Sequence, residues 1–198
     1  MEALTGILSA FGLSTSAGLN AYIPLLVVAL VARYTDLLEL NKPWDTLTNG
    51  WIIALLFLLV LVEFFADKIP AVNHANDAVQ TFVRPVAGAI VFAASAQVIS
   101  DLHPVLALAA GLLLAGGVHA AKSLAVRPAV TATTGGVGNV PVSMLEDFIS
   151  TVLSVLAIVI PIVIGSILLL IFSLVIWRVW VRRRPESTEL STINQDFH

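Results

Sequence analysis

The chain has 198 residues, 58% of them hydrophobic and 12% charged, with a mean hydropathy of +0.96. A soluble domain carries about a quarter of its residues charged, so this composition excludes a soluble globular protein and implies an all-α, polytopic transmembrane helical bundle. A net charge of −3 with no basic stripe ahead of the C-terminal tail leaves no surface for nucleic acid, and the lack of cysteine excludes disulfides, thiolate metal sites and cysteine nucleophiles.

Crossing a bilayer takes about 20 mostly apolar residues. Five segments are candidates, over residues 4–31, 51–66, 79–99, 105–121 and 148–177. Glu2, with no Lys or Arg ahead of the first run, argues for a retained membrane element rather than a cleaved signal peptide. That first run is interrupted by Ser14-Thr15-Ser16-Ala17-Gly18-Leu19-Asn20, where a helix could unwind, and Tyr22 and Pro24 follow. The last run would be about 45 Å long as a single helix. It therefore reads either as one steep helix leaving the membrane or as two short helices turning near Pro161 to Gly165. Five or six spans result, forming one domain over residues 1–181, followed by a polar, disordered tail over residues 182–198.

Lys and Arg are retained on the cytoplasmic side. Arg178, Arg182, Arg183 and Arg184 therefore place the C-terminus in the cytoplasm. Six spans would also put Lys68, Lys122 and Arg127 there and the acidic loop 36–45 outside. Segments 79–99 and 105–121 form a hairpin through Asp101-Leu102-His103-Pro104, so the loops 67–77 and 122–147 share one membrane face.

Gly12 to Ala21 aligns with Gly111 to Ala120 at an offset of 99, with Gly18 on Gly117 and Asn20 on His119. Chance similarity among small-residue helices explains this as well as an internal repeat with broken helices does. Under a six-span inverted repeat the two segments would run in opposite directions. Transporters built from such repeats place their sites where broken helices meet.

Polar groups at membrane depth are costly unless paired. Asp77, Thr81 and Arg84 share one helix face, and the simplest expectation is an Asp–Arg pair at the interface. His119 and Lys122 share another face, His119 being either a packed, hydrogen-bonded side chain or a proton relay. Glu63 and Asp67 end one segment beside Lys68, as an ordinary acidic helix end or a cation site. The stretch 127–147 is small, polar and glycine-rich. Ser143 and Glu146 match a capping box that would start a helix near Met144, with Asp147 in its first turn. Without a Gly-Lys-Ser ending, the stretch is not a nucleotide-binding loop. It is either a capped connection or a re-entrant segment containing Asn139. No catalytic set or zinc motif stands out, and neither a metal nor a cofactor is expected.

Four strings resemble a known family: Gly18-Leu19-Asn20-Ala21-Tyr22-Ile23-Pro24, Ala66-Asp67-Lys68-Ile69-Pro70, Val83-Arg84-Pro85-Val86-Ala87-Gly88 and Ser143-Met144-Leu145-Glu146-Asp147. They are similar to the bacterial membrane-protein family known as domain of unknown function 4126, over roughly residues 10–163. The resemblance implies a small multi-pass protein of the bacterial inner (plasma) membrane and carries no activity. Thr134-Gly135-Gly136 stands where the family has a Ser-Pro-rich stretch, so whatever that loop recognises is expected to differ here.

The reading that follows is a small transporter or lipid translocator. Its pathway would be lined by Asn20, Glu63, Asp67, Lys68, Asp77, Arg84, His119, Lys122, Asn139, Ser143, Glu146 and Asp147, and its ligand would be a small molecule, an ion or a lipid. The alternatives are a non-transporting membrane scaffold or assembly partner and, third, a membrane enzyme acting on a lipid headgroup. The partners expected are the lipid bilayer and further copies of the chain in a homo-oligomer.

Overall fold

Backbone N–H and C=O groups in lipid must be satisfied within their own segment, which makes long apolar runs helical. The computed structural model describes residues 2–67, 69–96 and 103–182. Lys68, Asp101, Leu102, Arg183, Arg184 and nearly all of the expected tail lie outside them. The helices are α1 (Glu2–Leu19), α2 (Tyr22–Tyr34), α3 (Gly50–Ala66), α4 (Pro70–Ala96), α5 (Pro104–Ala121), α6 (Arg127–Thr134), α7 (Asn139–Val159) and α8 (Pro161–Arg182). A 3-10 turn, Trp44–Thr48, precedes α3, and a π-helical turn, Lys122–Val126, joins α5 to α6. The chain divides into two compact units, Met1–Ser166 and Ile167–His198. The described part of the second is the remainder of α8.

The chain is an all-α membrane protein. Asn76–Ala96, Pro104–Thr134 and Asn139–Val159 are long and apolar enough to cross a membrane. Leu4–Leu19, Tyr22–Tyr34, Gly50–Ala66 and Ser166–Val181 are shorter apolar helices.

The first apolar run breaks at Asn20. Asn20 N–H closes the last bond of α1 on Ser16 O, while its side-chain Oδ1 accepts from Tyr22 N and Ile23 N, both at 3.0 Å, and so caps α2. Pro24 sits in the first turn of α2, where its missing N–H costs nothing. The chain then doubles back: Thr5 and Gly6 at the start of α1 border the same cavity as Asp36 to Glu39, just past α2. Segment 4–31 is therefore a helical hairpin of about 27 and 20 Å arms, rather than one interrupted span.

The hairpin arms are held by small residues. Ser14 Oγ donates to Gly88 O on α4 (2.8 Å), and Ser9 Oγ donates to Ala157 O on α7 (2.6 Å). Ser16 Oγ lies 2.7 Å from both Ser150 Oγ and Ser154 Oγ. A Cβ on Gly18 would sit 2.5 Å from Val118 Cβ, so α1 and α5 touch almost backbone to backbone.

These contacts also give direction. Phe11 meets Phe92 and Ser14 meets Gly88, so α1 runs antiparallel to α4; because α4 is itself antiparallel to α5, α1 and α5, which touch at Gly18 and Val118, run parallel. The opposed direction expected for an inverted repeat is not observed. By contrast α4 and α5 form the expected antiparallel hairpin, with Gly88 against Ala115 and Arg84 against His119.

The region beyond residue 121 departs most from the sequence expectation. Instead of an irregular loop over 122–147, helix continues through the π turn and α6 to Thr134. Gly135 (φ 63°) and Gly136 (φ 93°) then turn the chain into α7. These left-handed positions suit glycine because it lacks a Cβ. Helix α7 begins at Asn139, so Ser143 lies inside it and does not cap a helix near Met144, and Glu146 and Asp147 lie beyond its first turn. The last long run is two helices, broken at Ile160 ahead of Pro161.

Candidate functional site

The C-terminal ends of α1 and α3 meet the N-terminal halves of α4 and α7 and the α5–α6 junction. Their polar side chains form a network in three tiers around the tip of the α1–α2 hairpin.

In the first tier, Arg84 Nη2 donates to Glu63 Oε1 at 2.9 Å, both side chains being about 1% exposed. Arg84 Nη1 lies 3.2 Å from His119 Nδ1. A guanidinium can only donate, so Nδ1 accepts and the geometry assigns His119 the neutral tautomer with its proton on Nε2. That proton points to Thr81 Oγ1 at 3.2 Å, and Thr81 donates in turn to Asp77 O at 2.9 Å. Arg84 does not pair with Asp77, as their common helix face had suggested. Its carboxylate comes from α3.

In the second tier, Lys122 Nζ lies 2.6 Å from Glu146 Oε2 and donates to Leu19 O at 3.3 Å. A cation on the last carbonyls of α1 complements that helix's negative end. On the neighbouring face of α7, Asn20 Nδ2 donates to Asp147 Oδ1 at 2.9 Å. Asp147 is eight residues, about 12 Å, into α7. The hairpin tip therefore lies alongside the third turn of α7 rather than beside its end.

In the third tier, Asp67 accepts from Asn76 Nδ2 at 2.8 Å and from Ser143 Oγ. Arg127 Nη1 donates to Asp77 Oδ2 at 2.6 Å, while Nη2 lies 3.6 Å from Asp67 and 3.8 Å from Glu146. One guanidinium thus bridges carboxylates from α3, α4 and α7. Asn139 stands apart, donating to Thr131 Oγ1 at 3.0 Å across the glycine turn.

Of the twelve residues singled out in the sequence, ten join this network, Asn139 sits beside it and Lys68 lies outside the described residues. Arg127 is the main member that spacing in the sequence does not reveal. In an α-helix, residues i and i+5 diverge, so Lys122 and Arg127 should not share a target. In a π turn they stack, because the hydrogen bond spans five residues. Both reach Glu146 for that reason. Gln80 was also missed. It is buried beside the network, and its Oε1 has no hydrogen-bond partner among the described residues.

Among the described residues, the network holds three cations, Arg84, Lys122 and Arg127, against five carboxylates, Glu63, Asp67, Asp77, Glu146 and Asp147. Of these five, Asp147 has no cation among the described residues at ion-pair distance, and its side-chain partner is Asn20. It lines a cavity of about 380 Å³ between α3 and α7, walled by Val60, Leu61, Phe64, Met144 and Phe148. A second cavity, of about 490 Å³, is bordered by Asp77, Ser123, Arg127 and Asn139. No group of His, Cys, Asp and Glu among the described residues is arranged to hold a metal ion.

No curated protein and no solved structure matches the chain. The sequence pattern of one family matches residues 7–182, nearly its whole length, and takes in the hairpin tip, the Asp67, Arg84 and Arg127 contacts and the Ser143 to Asp147 turn of α7. The chain belongs to the family described as Domain of unknown function (DUF4126).

Proposed function

We propose that the protein is a membrane transporter of the lipid-translocating kind, in which a lipid headgroup crosses the apolar core of the bilayer by way of the polar network at the α1–α2 tip. One observation carries this reading. A cleft between α3 and α7, with apolar walls, holds the carboxylate of Asp147, and the adjacent residue Glu146 leads through Arg127 to the second cavity. Buried ion pairs contribute little net stability compared with apolar packing. A network with eight charged side chains among the described residues, in a chain this apolar, is therefore better explained by handling a charged ligand than by holding helices together. Headgroup passage would need the Lys122–Glu146 and Arg127 pairs to open and close in turn.

The test is lipid exchange between leaflets. Purified protein is reconstituted in phosphatidylethanolamine–phosphatidylglycerol vesicles containing a lipid labelled on its acyl chain, and dithionite then quenches the outer-leaflet label. Quenching beyond the outer leaflet, absent from protein-free vesicles, is expected. Folded protein that leaves the inner leaflet protected would exclude translocation.

The scaffold reading has one observation in its favour, namely that Arg84, Lys122 and Arg127 are each ion-paired. It predicts no lipid exchange and a single stoichiometric membrane partner on crosslinking. Among the described residues, no constellation favours an enzyme acting on a lipid headgroup.

A further inference from the structure

The α3–α7 cleft combines two features that together select a ligand. Its walls are apolar and open sideways: Leu61, Met144 and Phe148 are 38%, 49% and 65% exposed. On an apolar helix bundle such faces meet lipid chains rather than water. Asn20, Asp147 and Thr151 are the polar side chains among its lining residues. Asn20 Nδ2, at the hairpin tip, occupies Asp147 Oδ1. The three network cations are engaged elsewhere, on Glu63, Glu146 and Asp77. A carboxylate in such surroundings takes a cation that can also donate hydrogen bonds.

We propose that this cleft binds a membrane lipid bearing a primary amine, with its ammonium on Asp147 and an acyl chain along Leu61, Phe64, Met144 and Phe148. The proposal deepens the translocation reading by naming the headgroup class, and rests on that reading only for what happens after binding. A quaternary ammonium has the same charge but no N–H to give the carboxylate, and an anionic headgroup would be repelled. The cleft therefore discriminates by hydrogen bonding, not by charge alone.

The experiment uses native mass spectrometry of the full-length protein released from detergent. Dioleoyl phosphatidylethanolamine, phosphatidylcholine and phosphatidylglycerol are offered in equal amounts. Wild type is expected to retain phosphatidylethanolamine over phosphatidylcholine by roughly tenfold, the size of one charge-assisted hydrogen bond. Asp147→Asn keeps an oxygen for Asn20 and is expected to reduce that ratio to near one. Met144→Trp fills the cleft from an exposed position and is expected to lower retention of all three lipids; it also serves as the test should Asp147→Asn fail to fold. Equal retention of the three lipids by wild type, a preference for phosphatidylglycerol, an amine preference that survives Asp147→Asn, or undiminished lipid retention by Met144→Trp would overturn the proposal. Leaflet exchange without amine preference defeats this inference alone, whereas amine-selective binding without exchange defeats the translocation reading alone.

Discussion

Asn20 Nδ2 donates to Asp147 Oδ1 at 2.9 Å while Asn20 Oδ1 accepts from two backbone N–H groups of α2. One amide therefore both starts a helix and fastens the hairpin tip to α7. Asn20→Ala removes both functions and should destabilise the fold by about 1–2 kcal/mol, from the lost cap and one interhelical bond. Thermal unfolding in detergent measures this. Asn20→Asp keeps the cap but sets a carboxylate against Asp147, and should be at least as destabilising at neutral pH.

Glu63 and Arg84 are both buried, so removing one partner strands the other. Arg84→Ala should cost about 3–5 kcal/mol and lower the folded yield from membranes. Glu63→Gln with Arg84→Gln should recover much of that loss, since two amides leave no stranded charge. A double variant no more stable than Arg84→Ala would show that the charge pair is not the source of the cost.

Arg127 bridges Asp67, Asp77 and Glu146 through one planar fork. A lysine is a single point of charge and cannot span three carboxylates on three helices. Arg127→Lys is therefore expected to fold but to show greater hydrogen exchange at α6 and the 135–138 turn. Arg127→Ala should be worse, leaving three carboxylates to repel one another. Exchange in Arg127→Lys indistinguishable from wild type would contradict this bridging role.

The chain has no cysteine, so introduced pairs report packing without background. Ser16 and Ser154 have side-chain oxygens 2.7 Å apart, and Ser16→Cys with Ser154→Cys should form a disulfide readily on mild oxidation. Ser9→Cys with Ser150→Cys, displaced along the same two antiparallel helices, should not. Crosslinking of the second pair but not the first would refute the packing of α1 on α7.

Much of this was legible in the sequence. Composition and apolar run length give the membrane-helical class, and the Asp101 to Pro104 stretch gives the α4–α5 hairpin. The polar interruption before Tyr22 marks the break, since an Asn followed by Pro24 suits a new helix start. The direction of α2 was not legible, because hydropathy does not distinguish a kinked span from a folded-back pair. The Ser143 capping match misled for a physical reason. Asn139 and Pro141 can begin the helix earlier, which frees Ser143 to turn inward and bond Asp67. Partner choice was likewise hidden. Asp77 and Arg84 do share a helix face, but Glu63 and Arg127 from other helices satisfy them, and only a π turn brings Arg127 within reach.

The central claim is that headgroups pass through the site beside Asp147, and leaflet exchange in vesicles tests it most directly. With an acyl-labelled phosphatidylethanolamine, wild type should expose inner-leaflet label that protein-free vesicles protect. Asp147→Asn, at equal folded protein, should slow the exchange by roughly tenfold, the size of one lost charge-assisted hydrogen bond. Exchange at the wild-type rate in Asp147→Asn, or none in wild type, would contradict the account.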